Sequence, residues 1–146
     1  MSDAILEYSL TEVAAGIRRK EFSSEEVTRN CLEKIEKLQS KLNCFISIYA
    51  EEAIEAARRA DRAIASGDEI GSLHGVPLAH KDMFYRDGFV STGGSKIQKT
   101  FKPSYTATVL DKLDAAGAIH VGGLNMSEFA SGPVGQNEHF GDCKNP

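Results

Sequence analysis

The residue whose type and position best suit chemistry is Lys81, near the end of the apolar stretch LHGVPLAHKDMF at residues 73–84. If this stretch is a strand, side chains alternate between faces, so Lys81 and Asp82 need not be partners. An enclosed ammonium group loses water, which favours its neutral form, and a neutral lysine is a competent general base. The plainer explanation from position alone is a lysine that extends to solvent or neutralises a nearby carboxylate.

Other candidate centres have ordinary explanations. The four histidines include no pair at metal-ligand spacing on a helix, and no CxxC occurs among the three cysteines, which lie far apart in sequence. We therefore predict no metal site and reduced, structural thiols. The cysteines are Cys31, Cys44 and Cys143.

The glycine pairs at 93–94 and 122–123 lack the order of nucleotide-binding loops, and we interpret both as tight turns.

Length and composition exclude several functional classes. The 146 residues fit one domain, and 41% apolar with 26% charged residues is the balance of a soluble globular protein. A net charge of -4 offers no field that attracts phosphate backbones, so we expect no direct nucleic-acid binding. No apolar run approaches the roughly 18 residues of a membrane span, and the N-terminus lacks a basic signal-peptide region. We expect a cytoplasmic chain without membrane contact.

The first part of the chain, residues 1–67, is predicted to be mainly helical. Two segments place a serine three residues ahead of a glutamate, a spacing that lets both side chains satisfy N-terminal amides of a helix. A third segment has alanines on one side and charges on the other, and a glycine follows it. A short stretch of β-branched and aromatic residues is predicted to be a strand. The segments are SLTE (9–12), SSEE (23–26), the helix over 50–66 before Gly67, and the strand CFISIY (44–49).

Residues 68–146 are predicted to begin an α/β core. Two compact apolar runs, VPLA at 76–79 and AIHVG at 118–122, bracket a helix predicted over 107–116. A strand, helix and strand in this order normally form parallel neighbours, and ligands gather outside the carboxyl ends of those strands. Lys81 follows one such end, which makes it the leading candidate for a role in a site.

Details of the predicted helices in this half depend on short patterns. Thr106 is predicted to cap the helix over 107–116, with Val109, Leu113 and Ala116 on its buried face. A second, short helix is predicted over 125–130, where an asparagine again precedes a glutamate by three residues. The remainder of the chain has the composition of a loop.

Several segments, taken in order, resemble the amidase signature family. GSLHGVPLAHKDMF with STGGS at 91–95 resembles the family core, in which a motif of the type GxPxxxKD carries the catalytic lysine. DKLDAAGAIHVGGLNMSEFASG at 111–132 resembles the family's helix, turn and strand, and FGDCKNP at 140–146 resembles its FGxxxNP. The resemblance covers nearly the whole chain. It implies an α/β fold with a mixed sheet flanked by helices, and one incomplete amidase domain over 1–146.

The resemblance implies a role for Lys81 as the general base of an amide hydrolase. Family members use a serine nucleophile, a second serine as proton relay and a neutral lysine, and an acyl-enzyme releases ammonia or an amine. They need no metal or organic cofactor, and their substrate is expected to be a small-molecule amide. By position in the family segment, Ala130, Ser131 and Gly132 are predicted to bind substrate by lining the acyl pocket.

The family's two serines lie beyond its FGxxxNP segment, so we expect the 146 residues alone to be inactive. The alternative to a free-standing amidase is the A subunit of a glutamine-dependent aminoacyl-tRNA amidotransferase, which works with partner subunits. A homo-oligomer is a further expectation for the free-standing enzyme. The third possibility, after the free-standing amidase and the A subunit, is a small non-enzymatic α/β interaction module in which the lysine is incidental.

Overall fold

The computed structural model describes residue 5 and residues 7–146. The three helices predicted in the first part of the chain, the strand between the second and third of them, and the later strand, helix and strand are all confirmed. In chain order the elements are α1 (Leu10–Arg18), α2 (Ser24–Leu42), β1 (Phe45–Ile48), α3 (Ala50–Ser66), β2 (Pro77–Lys81), α4 (Thr108–Ala115), β3 (Ile119–Leu124) and a 3₁₀ turn (Glu128–Ala130).

The first two helices begin at the predicted serines, but they are capped in different ways. At α1, Ser9 Oγ accepts from Glu12 N (3.3 Å) and the Glu12 carboxylate accepts from Ser9 N (2.7 Å), which is the predicted reciprocal cap. At α2, Ser23 Oγ accepts from Glu26 N at 3.0 Å. The carboxylate that accepts from backbone amides at this N-terminus is that of Asp61 in α3, not that of Glu26. Asp61 accepts from the first two amides of α2 (2.7 and 3.0 Å). The contact with Asp61 of α3 thus replaces the part that Glu26 was predicted to play in the reciprocal cap, whereas Ser23 keeps its part.

Helix α4 corrects two predictions. Thr106 is not at the cap position, because α4 begins at Thr108, and Thr106 Oγ1 instead accepts from Asp87 N at 3.2 Å. The predicted buried face is also wrong at Val109, which is 47% exposed, whereas Leu110 is 1% exposed. The helix has only eight residues. Two turns contain too few apolar positions to fix the buried side by periodicity alone.

The short helix predicted from residue 125 is replaced by the 3₁₀ turn at Glu128–Ala130. Asn125 does not act as a cap for it, because Asn125 Oδ1 accepts from the adjacent Met126 N at 2.8 Å. Phe129 and Ala130 both have positive φ (50° and 57°), which ends helical geometry there. Residues 131–146 have no regular element, as predicted from their composition.

The three strands form a mixed sheet in the order β1-β3-β2. Strand β1 is antiparallel to β3, with an irregular register between Phe45 and Ser47. Strand β2 is parallel to β3, because hydrogen bonds link successive positions in the same chain direction. These bonds are Ile119 N to Val76 O (2.8 Å) and Asp82 N to Leu124 O (3.1 Å). Strand β2, helix α4 and strand β3 therefore form the predicted unit of two parallel strands joined by a helix.

The glycine pair at 122–123 is not the predicted tight turn, because it lies within β3. A Cβ atom at Gly122 would be 2.3 Å from Ser47 O on the neighbouring strand, and one at Gly123 would be 2.9 Å from Asp82 Oδ1. These glycines are needed for close approach to the backbone and to a carboxylate, not for a turn.

The described residues pack as two compact units. Unit 1 contains the described residues up to Ile35, Tyr49–Leu78 and Lys112–Val121, and unit 2 contains Glu36–Ile48, Ala79–Asp111 and Gly122–Pro146. The main apolar cluster of unit 1 consists of Val13, Ile17, Val27 and Val76. No helix in the described part of the chain is long and apolar enough to cross a membrane.

Candidate active site

Lys81 is the last residue of β2 and is half-buried. The chain turns immediately after it, where Phe84 N donates to Lys81 O at 3.1 Å. Within the described residues, its ammonium group makes no hydrogen bond or ion pair, including with the adjacent Asp82. The strand and the turn therefore fix the backbone of Lys81, while no charge partner in the described residues fixes its side chain.

Asp82 is the buried carboxylate next to Lys81, and its partner is Thr92. The residue is 2% exposed, and its Oδ2 accepts from Thr92 N at 2.8 Å and from Thr92 Oγ1. Burial raises the pKa of the Asp82 carboxyl, and the two hydrogen bonds from Thr92 partly oppose this effect. Asp82 thus ties the turn after β2 to the loop at 91–95.

The loop at 91–95, STGGS, is buried throughout. Gly93 N donates to Asp82 O at 3.1 Å, and Gly94 N donates to Thr92 Oγ1 at 3.0 Å. Both glycines have positive φ (60° and 71°), which confirms the predicted tight turn at this pair. A Cβ atom at Gly94 would be 2.9 Å from Met126 O, so the turn also allows a close approach.

Glu128 is the centre of a second polar cluster in unit 2. Its Oε1 accepts from Ser95 Oγ at 2.6 Å and lies 2.9 Å from His139 Nε2. The hydrogen bond from Ser95 is the main reason that the pKa of Glu128 is lowered, and His139 contributes in the same direction. The glutamate stands between the serine and the histidine, so the histidine is not placed to take the serine proton. This arrangement holds loops together and is not a nucleophile with its base.

Asn137 joins three segments around this cluster. It is 4% exposed, and its Nδ2 donates to Gly94 O (2.8 Å) and Met126 O (2.6 Å). Its Oδ1 accepts from the backbone amides of His139 (2.8 Å) and Phe140 (2.9 Å). All four of these hydrogen bonds satisfy buried or partly buried backbone groups, which fixes the loop at 137–140 against the loop at 91–95.

Of the residues predicted to bind substrate, Ala130 ends the 3₁₀ turn, and Ser131 and Gly132 follow it. Ser131 and Gly132 line a cleft of about 450 Å³, and Ser131 Oγ donates to Glu128 O at 2.7 Å. Ala130 and Lys81 are not among the residues that line this cleft. Ser127 also lines it, and Ser127 Oγ is buried without a hydrogen-bond partner in the described part of the chain. The remaining lining residues are Glu128, Val134, Gln136, Asn137, Glu138, His139 and Asp142.

The residues that sequence reasoning missed are those that organise the loops. Asp82 was identified only as part of a motif, and the roles of Thr92, Glu128 and Asn137 were not predicted. A buried loop rich in serine, threonine and glycine needs hydrogen-bond partners for its backbone. That requirement is the signal that could have directed attention to a nearby carboxylate.

Comparisons with known proteins agree with the arrangement of these segments. A family model described as Amidase matches residues 26–146. The A subunit of glutamyl-tRNA(Gln) amidotransferase from Ectopseudomonas mendocina (strain ymp) is 46% identical over 138 residues, which are 94% of this chain and 28% of that protein. The corresponding protein of Hahella chejuensis (strain KCTC 2396) is 41% identical over 97% of this chain and 29% of that protein. The chain therefore spans less than a third of the length of these relatives.

Solved structures also match nearly the whole of this chain but less than a third of their own length. A structure described as a vestigial protein complex that reveals the evolutionary origins of an s-triazine catabolic enzyme is 34% identical, with a TM-score of 0.90 over 95% of this chain and 31% of that chain. The peptide amidase of Stenotrophomonas maltophilia is 26% identical, with a TM-score of 0.86 over 95% of this chain and 30% of that chain. Fatty acid amide hydrolase, at 24% identity and a TM-score of 0.92 over 98% of this chain and 25% of that chain, shares the fold.

Proposed function

Because the chain belongs to the amidase signature family, we propose that it forms part of an enzyme that hydrolyses a carboxylic amide to an acid and ammonia or an amine. Lys81 is the general base in this proposal. The observation that supports it best is the position of Lys81, half-buried at the carboxyl end of β2 and without a charge partner in the described part of the chain. A lysine used as a base needs that freedom, because a carboxylate partner would hold the proton on its amine.

The proposed reaction passes through an acyl-enzyme. Lys81, through a relay serine, takes the proton of the nucleophilic serine as its oxygen attacks the amide carbonyl. That proton passes to the leaving nitrogen as the carbon–nitrogen bond breaks, and water then hydrolyses the ester in the same way. Ala130, Ser131 and Gly132 are proposed to line the acyl pocket. No metal or organic cofactor takes part in this scheme.

The two serines correspond to a family segment that follows FGxxxNP, the motif matched here at 140–146. We therefore propose that the 146 residues hold the base without the nucleophile. The substrate of the whole enzyme is a small-molecule amide, and we place the enzyme in the cytoplasm.

The proposal is tested in a protein that joins this chain to the serine-bearing segment. Lys81→Ala should reduce kcat/KM for an amide substrate by about 10²- to 10⁴-fold, the usual contribution of a general base. Lys99→Ala, at an exposed lysine of the same unit, is the matched control and should leave the rate unchanged. Equal, measurable rates for wild type and Lys81→Ala would contradict the role of Lys81, whereas no hydrolysis by either protein would favour a non-enzymatic module.

A second candidate function is that of an amidotransferase A subunit. The identity of 46% with the A subunit of a glutamyl-tRNA(Gln) amidotransferase favours it. In that case the same lysine would serve the release of ammonia from glutamine, within an assembly of partner subunits. Glutaminase activity of the complete protein that appears only with partner subunits would support this function. Hydrolysis of other small amides by the complete protein alone would support the free-standing amidase.

A further inference from the structure

Two of the three cysteines, separated by 99 positions in the chain, meet in unit 2. Cys143 Sγ lies 3.8 Å from Cys44 Sγ, and both residues are half-buried free thiols. Cys31 is also a free thiol and lies in α2. The wide sequence spacing that argued against a disulfide framework therefore does not prevent a close contact in the folded chain.

Backbone hydrogen bonds hold both cysteines in place. Cys44 O accepts from Asn125 N at 2.7 Å, and Cys143 N donates to Gly135 O at 3.1 Å. The next amide along the chain after Cys143 donates to Leu42 O at 2.8 Å. The backbone on both sides thus places the two cysteines next to each other, and rotation of their side chains sets the remaining distance between the sulfur atoms.

Two asparagine side chains reinforce the same junction. Asn43 Nδ2 donates to Phe140 O at 2.9 Å, and Asn125 Nδ2 donates to Asn43 O and Gly141 O, each at 2.9 Å. Asparagine amides can bridge two backbone segments because each carries two donors. The segment before β1 and the segment that precedes Cys143 are therefore joined at several points, which limits how far the thiols can separate.

From this geometry we propose that Cys44 and Cys143 form a site of reversible oxidation, at which a small-molecule disulfide such as glutathione disulfide converts the two thiols to a protein disulfide. The two sulfur atoms must move closer by about 2 Å to reach bonding distance, which side-chain rotation can supply when the backbones are already adjacent. The site is independent of Lys81 and of the proposed amide chemistry.

The oxidation proceeds as two exchange reactions. One protein thiolate attacks glutathione disulfide, which releases a glutathione thiolate and leaves a mixed disulfide on the protein. The second protein thiolate then attacks the protein sulfur of that mixed disulfide and releases the second glutathione. Two protein thiols are oxidised and one glutathione disulfide is reduced to two glutathione molecules, which take up the two thiol protons. Excess glutathione reverses both steps.

The product should be more resistant to unfolding than the reduced protein. The cross-link would close a loop of about 100 residues, which restricts the unfolded chain, and we expect the unfolding midpoint to rise by roughly 5–10 °C. It would also fix the segment around residue 143 to the start of β1, without a change in the fold.

The test uses the 146-residue chain incubated with glutathione disulfide and then treated with a maleimide under denaturing conditions. Mass spectrometry should count one reactive thiol instead of three, and proteolysis should yield a peptide pair linked through Cys44 and Cys143. Cys31→Ser is the matched control and should form the same link. Cys44→Ser and Cys143→Ser should each stop at a mixed disulfide with glutathione.

The wild-type peptide map decides the outcome even if a serine variant folds poorly. A link between Cys44 and Cys143 that glutathione reverses supports the site. Three thiols that remain reactive, a link that involves Cys31, or links between two chains as the main product would overturn it. Loss of amide hydrolysis in the complete enzyme would bear on Lys81 alone, so the two proposals fail separately.

Discussion

The two units of the molecule bury different kinds of residue. Most buried apolar side chains of the described chain belong to unit 1, including Val13, Ile17 and Val27, whereas Leu110 and Met126 are those of unit 2. Unit 2 instead buries a carboxylate and several hydroxyl and amide groups. Its buried polar residues are Asp82, Ser91, Thr92, Ser95, Ser127 and Asn137. Unit 1 is held mainly by apolar area, which is non-directional, while unit 2 depends on hydrogen bonds with specific partners.

The largest expected effect is a cavity in unit 1. Ile17 is 1% exposed and lies in the main apolar cluster, so Ile17→Ala should lower the free energy of unfolding by about 4 kcal/mol. Urea denaturation of the 146-residue chain measures this change. Ile97→Ala, at a residue that is 84% exposed, is the control and should change stability by less than about 0.5 kcal/mol. Equal losses for the two variants would contradict the difference between buried and exposed apolar residues.

The next effect should come from the polar network of unit 2. Asp82→Ala leaves the Thr92 amide and hydroxyl without an acceptor, and we expect a loss of about 3 kcal/mol from these two orphaned donors. Asp82→Asn keeps an acceptor oxygen and should lose less. The exposed Asp87→Ala is a control on the same segment. If Asp82→Ala unfolds at the same urea concentration as Asp87→Ala, the network does not stabilise unit 2.

The smallest effect is a difference in pH dependence between two carboxyl groups of unit 2. Burial raises the pKa of Asp82, so the folded state binds its proton more tightly than the unfolded state does. The stability of the wild type relative to Asp82→Asn should therefore be highest below the ordinary aspartate range near pH 4 and fall as pH rises through the raised pKa. It should not fall further above that pKa.

Glu128 should show the opposite sign, because the hydrogen bond from Ser95 lowers its pKa. Its contribution is present above the ordinary glutamate range near pH 4 and is lost as pH falls through the lowered pKa. Urea midpoints of Glu128→Gln and Asp82→Asn, each compared with wild type between about pH 3 and pH 7, measure both trends. Parallel trends for the two variants would show that their environments do not differ as described.

The same contrast explains what the sequence could predict. The first three helices, and the end of α3 at Gly67, could be predicted from local spacing, because capping and periodicity act within a few residues. The position of Lys81 at the end of β2 was also predictable from an apolar run that ends in a charge. These features need no knowledge of distant contacts.

The features that were not predicted depend on contacts between distant residues. Asp82 and Thr92 are ten positions apart, and nothing in their spacing specifies that a hydroxyl and an amide will meet one carboxylate. The pair at 122–123 was wrongly interpreted as a turn, because a glycine needed for close approach between strands looks the same in sequence. Likewise, the contact between Cys44 and Cys143 has no local signal.

We propose that Lys81 is a catalytic base and that the serine nucleophile it serves is not among these 146 residues. The most direct measurement is release of ammonia from simple amides and glutamine by the purified 146-residue chain, with Lys81→Ala beside it. We predict no release above the buffer rate for either protein. Turnover by the wild-type chain that Lys81→Ala abolishes would contradict the claim, because these residues would then contain a complete catalytic site.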